Sequence, residues 1–168
     1  MSFFRVLSRL RVSEVAIQRT QSFANMARKR QRVSASVGSE FEALEESFDA
    51  LCQEMKEYDE KRERVIKRSR DIQKASKQAI FSLHRGNAPE ASQRLEQALH
   101  AATELRPLID DHPSLRHGSF SNSIEEYAEA LIFQQYLTDK RVMLPRDIEL
   151  ANTDEYLGGL LDFTGELN

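Results

Sequence analysis

The stretch from Glu40 to Arg85, which contains neither glycine nor proline, constrains the fold more than any other feature of the sequence. Its first half carries apolar residues at alternating spacings of three and four: Phe41, Leu44, Phe48, Leu51, Met55 and Tyr58. This spacing lines up one helix face, and the residues that most often interrupt helices are missing, so the pattern predicts a single long helix. Polar or small residues at the later seam positions Arg62, Ser69 and Ser76 favour a bundle helix over a strict coiled coil.

Three further helices are predicted after a turn at residues 86–89. The second helix begins near Pro89 and is ended by Pro107 and Pro113, the third runs from about Ser119 to Thr138, and the fourth is opened by Asn152. Four helices joined by short connections predict an all-α fold, an antiparallel helical bundle with a long first helix. The composition agrees, since 30% charged residues with only 6 Gly and 4 Pro are atypical of all-β proteins.

Other classes of protein are excluded by composition. The single cysteine, Cys52, allows no intramolecular disulfide and indicates no thiolate zinc site. The longest run without Asp, Glu, Lys, Arg or His is residues 130–138, well short of the roughly 20 apolar residues that cross a bilayer. We therefore expect no membrane partner.

The chain divides by charge into a basic segment, residues 1–39, and an acidic domain, residues 40–168. The first segment has eight basic side chains against Glu14 and a net charge of +7, which leaves −10 for the remainder of a chain whose total is −3. Three interpretations stay open: a disordered solvated tail, a mitochondrial transit peptide within residues 1–25, or a cluster for nuclear import or phosphate contact. The cluster consists of Arg28, Lys29, Arg30 and Arg32.

Two pairs of carboxylates are not explained by the helix pattern. Glu126 and Glu129 lie one turn apart in a helix that is apolar on nearly every side, and Asp162 and Glu166 are spaced i, i+4 in a helix with three glycines. If these two helices pack face to face, the four side chains converge, and protons or cations must relieve their repulsion. An all-oxygen site favours Mg²⁺ or Mn²⁺, although ordinary surface acids on two amphipathic helices remain the alternative.

A basic flank lies on the second half of the first helix. Arg64, Lys67, Arg68 and Lys77 are our candidates for contact with a nucleic-acid backbone, because basic side chains along a helix can neutralise successive phosphates. A solvated helix face is the competing interpretation. Carboxylate-held Mg²⁺ beside such a surface would suit phosphodiester hydrolysis.

Several segments resemble the translin family, and within it the Trax branch, over residues 41–168. They are Ser69-Arg70-Asp71-Ile72, Ser76-Lys77, Ile80-Phe81, Leu83-His84-Arg85, Glu126-Tyr127-Ala128-Glu129-Ala130, Glu155-Tyr156-Leu157-Gly158-Gly159 and Asp162-Phe163-Thr164-Gly165-Glu166-Leu167. The resemblance implies a Mg²⁺-dependent endoribonuclease centre formed by Glu126, Glu129, Asp162 and Glu166. All four are candidate catalytic and metal-binding residues, with Glu166 either a ligand or the base that orients water.

The resemblance also implies partners and a setting. These are a translin-type subunit in a hollow hetero-octamer, single-stranded RNA and DNA as ligands, and roles in RNA processing and small-RNA passenger-strand removal in the cytoplasm and nucleus. Family members continue into further helices after the Thr-Gly-Glu-Leu motif, so the bundle is expected to be incomplete here. A catalytically silent nucleic-acid-binding or assembly subunit is therefore the alternative function.

Overall fold

The all-α prediction is confirmed. The computed structural model describes the backbone of residues 3–167 and the side chains of residues 18–32, 37–38 and 40–167, and no strand occurs among them. The helices are α1 (Phe3–His84), α2 (Ala88–Asp111), α3 (Ser119–Asp139) and α4 (Thr153–Gly165), with short 3₁₀ helices at Pro113–Arg116 and Pro145–Asp147. Over this described part of the chain, no helix has both the length and the hydropathy to cross a membrane.

The chain forms two units, and α1 belongs to both. The first unit is Met1–Met55, where α1 is the one described element and every described side chain is exposed. The long helix was predicted from Glu40, whereas α1 begins at Phe3 and so includes the basic segment. The interpretations of residues 1–39 as a tail, a transit peptide or a nuclear-import cluster stay predictions.

The second unit, Lys56–Asn168, contains the hydrophobic core of the described residues. The rest of α1 contributes residues at spacings of mostly three or four to this core, and α2 contributes four alanines, Ala91, Ala98, Ala101 and Ala102, beside its larger apolar residues. Fully inaccessible core residues include Ile72, Ala79, Ala98, Ala102, Ile124, Ala128 and Ile132. The α3 helix supplies several of them, as the apolar surround of its sequence predicts.

Helix ends in this unit follow their local sequence with one exception. Gly86 and Gly118 have positive φ angles of 73° and 85°, which suits glycine at the turns before α2 and α3. Asn152 and Glu155 form the predicted capping box at the start of α4. The prediction that Pro107 ends the second helix is wrong, because α2 continues to Asp111. Pro107 lies on the exposed side of α2.

Candidate functional site

The site is positioned by an unusually close contact between α3 and α4. A Cβ atom added at Gly159 would lie 2.6 Å from the carbonyl oxygen of Glu125 and 2.8 Å from the amide nitrogen of Glu129. Real Cβ atoms do not approach other atoms so closely, so α4 can contact the α3 backbone only because residue 159 is glycine. Gly159 is therefore the position at which α4 admits the backbone of another helix.

A buried ion pair fixes the first turn of α4. Glu155 is inaccessible to solvent, and its two carboxylate oxygens accept hydrogen bonds from Arg116 at 2.6 and 3.0 Å. Arg116 also donates to the carbonyl of Leu150 at 2.8 Å, and the backbone amide of Asn152 donates to Glu155 at 2.8 Å. Glu155 is therefore a structural residue, since every charge brought into the interior at this point is paired.

Glu129 is the most deeply buried of the four predicted carboxylates. Its side chain is 6% exposed, and among the described residues it has no hydrogen-bond or ion-pair partner. Its pKa is raised from 4.5 to about 7, mainly by burial and also by the negative charges of Glu126, Glu166 and Asp162, while Lys77 opposes this shift. Glu129 thus lies in the field of the other three predicted carboxylates, which the fold brings to one side of the α3–α4 pair.

Two of those carboxylates are bound by cationic or titratable side chains of α1. Lys77 Nζ lies 2.9 Å from Glu126 Oε1, and the amide of Gln73 donates to the same oxygen at 3.3 Å. Glu166 is hydrogen-bonded to Nε2 of His84. The pKa of Lys77 is raised by its hydrogen bond to Glu126 and also by the charges of Glu126, Glu129 and Asp162. Its ammonium is therefore the cation that partly neutralises this group.

Within the described part of the chain, no set of three or more His, Cys, Asp or Glu side chains is arranged so that it could hold a metal ion. Glu126 and Glu166 are directed instead toward Lys77 and His84. The donor chemistry nevertheless fits Mg²⁺ or Mn²⁺, because the four groups offer only carboxylate oxygens and Glu129 carries a raised pKa caused in part by like charge. The predicted metal centre stays a prediction.

The four predicted nucleic-acid contacts fall into two classes. Arg64 and Lys67 are exposed on α1. Arg68 binds Glu104 at 2.5 Å and Asp71 at 2.9 Å, and Lys77 is bound to Glu126 as described above. Arg68 and Lys77 are thus already engaged within the chain.

The sequence-based candidates omitted two basic residues that complete a stripe on α1. Lys67, Arg70, Lys74 and Lys77 follow one another at spacings of three and four, so they share one helix face, which we call the basic stripe. Together with Gln73, Gln78 and Phe81, the last three line a shallow groove of about 420 Å³. The same spacing rule that revealed the apolar faces could have found this stripe, because its four residues recur at three and four positions.

An exposed aromatic ring lies at the end of this groove. The side chain of Phe81 is 62% exposed, and the guanidinium carbon of Arg85 lies 4.6 Å from the centre of its ring. Such an aromatic–cation pair is a surface on which an unpaired base can stack. No aromatic contact could be assigned from sequence, because only the fold shows that Phe81 faces outward while its neighbours are buried.

The fold and the site define a helical-bundle protein with a carboxylate cluster beside a basic stripe. The model of the Translin family matches residues 60–168, a range that contains the whole cluster and stripe. The chain belongs to the translin family.

Curated relatives agree with this assignment. The chain is 28% identical over 140 residues to the Translin-associated protein X homolog of Schizosaccharomyces pombe, a match that covers 74% of this chain and 60% of the relative. It is 29% identical over 113 residues to Translin-associated protein X of Mus musculus, covering 61% of this chain and 38% of the relative. The chain therefore spans less than two thirds of the length of the curated relatives it matches.

Solved structures show the same fold. One described as the crystal structure of apo-NeC3PO aligns with a TM-score of 0.64 at 26% identity, covering 71% of this chain and 63% of that one. A second, described as the crystal structure of AfC3PO, aligns with a TM-score of 0.62 at 21% identity over 71% of this chain and 62% of that one. The translin-like bundle predicted from sequence is thereby confirmed.

Proposed function

We propose that this chain is the catalytic subunit of a translin-type complex and cleaves single-stranded RNA as an endoribonuclease. The observation that carries the proposal is the burial of Glu129, whose pKa is raised to about 7, within reach of the charges of Glu126, Asp162 and Glu166. Membership of the translin family and the resemblance to its Trax branch support the choice of reaction.

The basic stripe would bind the RNA. Lys67, Arg70 and Lys74 are exposed, and their spacing along α1 leads toward Lys77 at the edge of the carboxylate cluster. Successive phosphates bound along this face would bring the strand to the cluster, because each basic side chain replaces a condensed counterion. Phe81 and Arg85 would stack an unpaired base, which favours single-stranded over duplex substrates.

The carboxylates would hold the divalent cation that the resemblance implies. Glu126, Glu129, Asp162 and Glu166 are the residues that would bind Mg²⁺ or Mn²⁺, which when bound supplies an activated water and neutralises charge on the phosphate. In the structure, the side chain of Lys77 is bound to Glu126 and that of His84 is bound to Glu166. Both contacts would have to open before these two carboxylates could turn toward a common cation.

Cleavage of a labelled single-stranded RNA tests the proposal. The chain is co-expressed with a translin-type subunit, and cutting is compared in Mg²⁺ and in EDTA for wild type, Glu129→Gln and the matched control Glu149→Gln, an exposed acid on the loop before α4. We expect Mg²⁺-dependent cutting that Glu129→Gln abolishes and Glu149→Gln retains. Equal cutting by both variants would contradict the assignment.

Binding of the same RNA is measured separately. Arg70→Gln and Lys74→Gln are expected to weaken binding several-fold and to lower its salt dependence, since each removes one phosphate contact. Arg141→Gln is the control, because Arg141 is exposed on the segment after α3 and lies outside α1 and its stripe. Unchanged binding in both stripe variants would show that the RNA takes another path.

A catalytically silent binding or assembly subunit is the second candidate function. It is favoured by one observation, namely that no described group of side chains is arranged to hold a metal ion. RNA binding without any cleavage in Mg²⁺ or Mn²⁺ would support it and exclude the nuclease. The roles in passenger-strand removal and RNA trimming, and the location in the cytoplasm and nucleus, remain proposals under either function.

A further inference from the structure

The part of α1 within the first unit has an exposed apolar stripe. Every described side chain from residue 18 to residue 55 is exposed, and eight large apolar ones are between 51% and 72% exposed. They are Phe23, Met26, Val37, Phe41, Leu44, Phe48, Leu51 and Met55. We call residues 18–55 the arm. A helix without tertiary contacts is marginally stable in water, so a stripe of this size points to a partner.

Two pairs of apolar residues in the stripe are symmetric about Val37. Phe23 and Leu51 each lie fourteen residues from Val37, and Met26 and Phe48 each lie eleven residues from it. At 100° per residue, all eight apolar side chains fall within about 40° of one line along the helix. When a second arm is laid antiparallel on the first, Phe23 therefore meets Leu51 and Met26 meets Phe48 on the two sides of Val37, while Leu44 and Met55 lie opposite Arg30 and Arg19.

The charges of the arm have opposite signs on the two sides of Val37. Residues 18–32 carry five basic side chains and no acid, whereas residues 40–55 carry six acids and no basic side chain. The basic residues are Arg19, Arg28, Lys29, Arg30 and Arg32, and the acids are Glu40, Glu42, Glu45, Glu46, Asp49 and Glu54. A parallel pair would place acid beside acid and base beside base. An antiparallel pair places the basic half of each arm beside the acidic half of the other.

We propose that the arm binds the arm of a second copy of this chain, antiparallel, with the two-fold axis at Val37. The two arms would contact each other over a length of about 55 Å, since each of their 38 residues adds a rise of about 1.5 Å. The contact uses the same surface on both copies, so it closes as a dimer rather than a filament. It does not depend on the proposed nuclease activity.

The mass of the full chain in solution is the first test. We expect a dimer by light scattering, and we expect Leu51→Glu to lower the association constant at least tenfold because it buries a carboxylate in the seam. Ala50→Glu is the matched control, because Ala50 is exposed about 140° from the stripe and adds the same charge. A monomeric wild type, or equal effects of the two variants, would overturn the proposal.

Cysteine cross-linking tests the direction and the register. In a Cys52→Ser background, Val37→Cys alone should form a disulfide-linked dimer, since only a residue near the two-fold axis meets its own copy within about 7 Å. Leu51→Cys alone should stay monomeric under denaturing electrophoresis, and Leu51→Cys combined with Phe23→Cys should cross-link. Cross-linking of Leu51→Cys to itself would show a parallel pair and refute the register. These small substitutions also decide the question if Leu51→Glu lowers helicity.

Discussion

Replacing Glu129 with glutamine is expected to stabilise the folded protein at neutral and alkaline pH. The Glu129 side chain is buried without a bonded partner among the described residues, and its pKa is raised from 4.5 to about 7. Between these two values the folded protein binds more protons at this position than the unfolded chain does. The free energy of unfolding contributed by Glu129 therefore falls as the pH rises from 4.5 to 7.

The size of the effect follows from the same two values. One pKa unit corresponds to about 1.4 kcal/mol, so an ionised Glu129 costs the folded state about 3 kcal/mol above pH 7. Glutamine resembles the protonated carboxyl group in size and does not ionise. We thus expect Glu129→Gln to match wild type near pH 4.5 and to exceed its stability by up to about 3 kcal/mol at pH 8.

Urea unfolding monitored by circular dichroism measures this difference, in buffers that contain EDTA at pH 4.5, 6, 7 and 8. Glu149→Gln is the control, because Glu149 is exposed on the loop before α4 and is not among the charges that raise the pKa of Glu129. If the stability advantage of Glu129→Gln does not grow between pH 4.5 and pH 8, the pKa of Glu129 is not raised in the folded protein.

Two further predictions concern how α4 is held. Arg116→Met should lower the free energy of unfolding by about 3–5 kcal/mol, because the buried carboxylate of Glu155 loses its counter-ion, and thermal denaturation checks this. A loss below about 1 kcal/mol would mean that Glu155 is protonated or reaches water. Gly159→Ala should cost about 1–3 kcal/mol because its Cβ overlaps the α3 backbone, whereas Gly165→Ala, with no atom within 4 Å, should change stability by less than about 1 kcal/mol. Equal unfolding midpoints in urea for the two alanine variants would contradict the close contact.

The sequence predicted the helices well and their ends less well. The glycine and proline residues between the helices predicted where α2, α3 and α4 lie, because these residues act through local backbone geometry. The start of α1 was missed, since residues 1–39 were interpreted by their charge and composition, and α2 continues through Pro107.

For the site, spacing predicted carboxylates on one side of each of two helices, but it could not show which of them were already bound. That Glu155 is held by Arg116 and that Lys77 is held by Glu126 are tertiary facts, because each pair joins residues at least 39 positions apart. The sequence alone could not distinguish Glu155, a buried acid that is paired with Arg116, from Glu129, a buried acid for which the described residues provide no bonded cation. The difference depends on which cation the fold brings within hydrogen-bond distance.

Lys77 links the two halves of the proposed site. It belongs to the basic stripe, and its ammonium also offsets the charges of Glu126, Glu129 and Asp162. A phosphate that attracts Lys77 away from Glu126 leaves the cluster more negative, and the affinity of the cluster for a divalent cation must then rise. Because coupling between two binding events is reciprocal, the cation must strengthen RNA binding by the same factor. Under the proposed function, the ion pair between Lys77 and Glu126 closes the site when no RNA is bound. The same ion pair therefore makes the binding of RNA and of the cation cooperative.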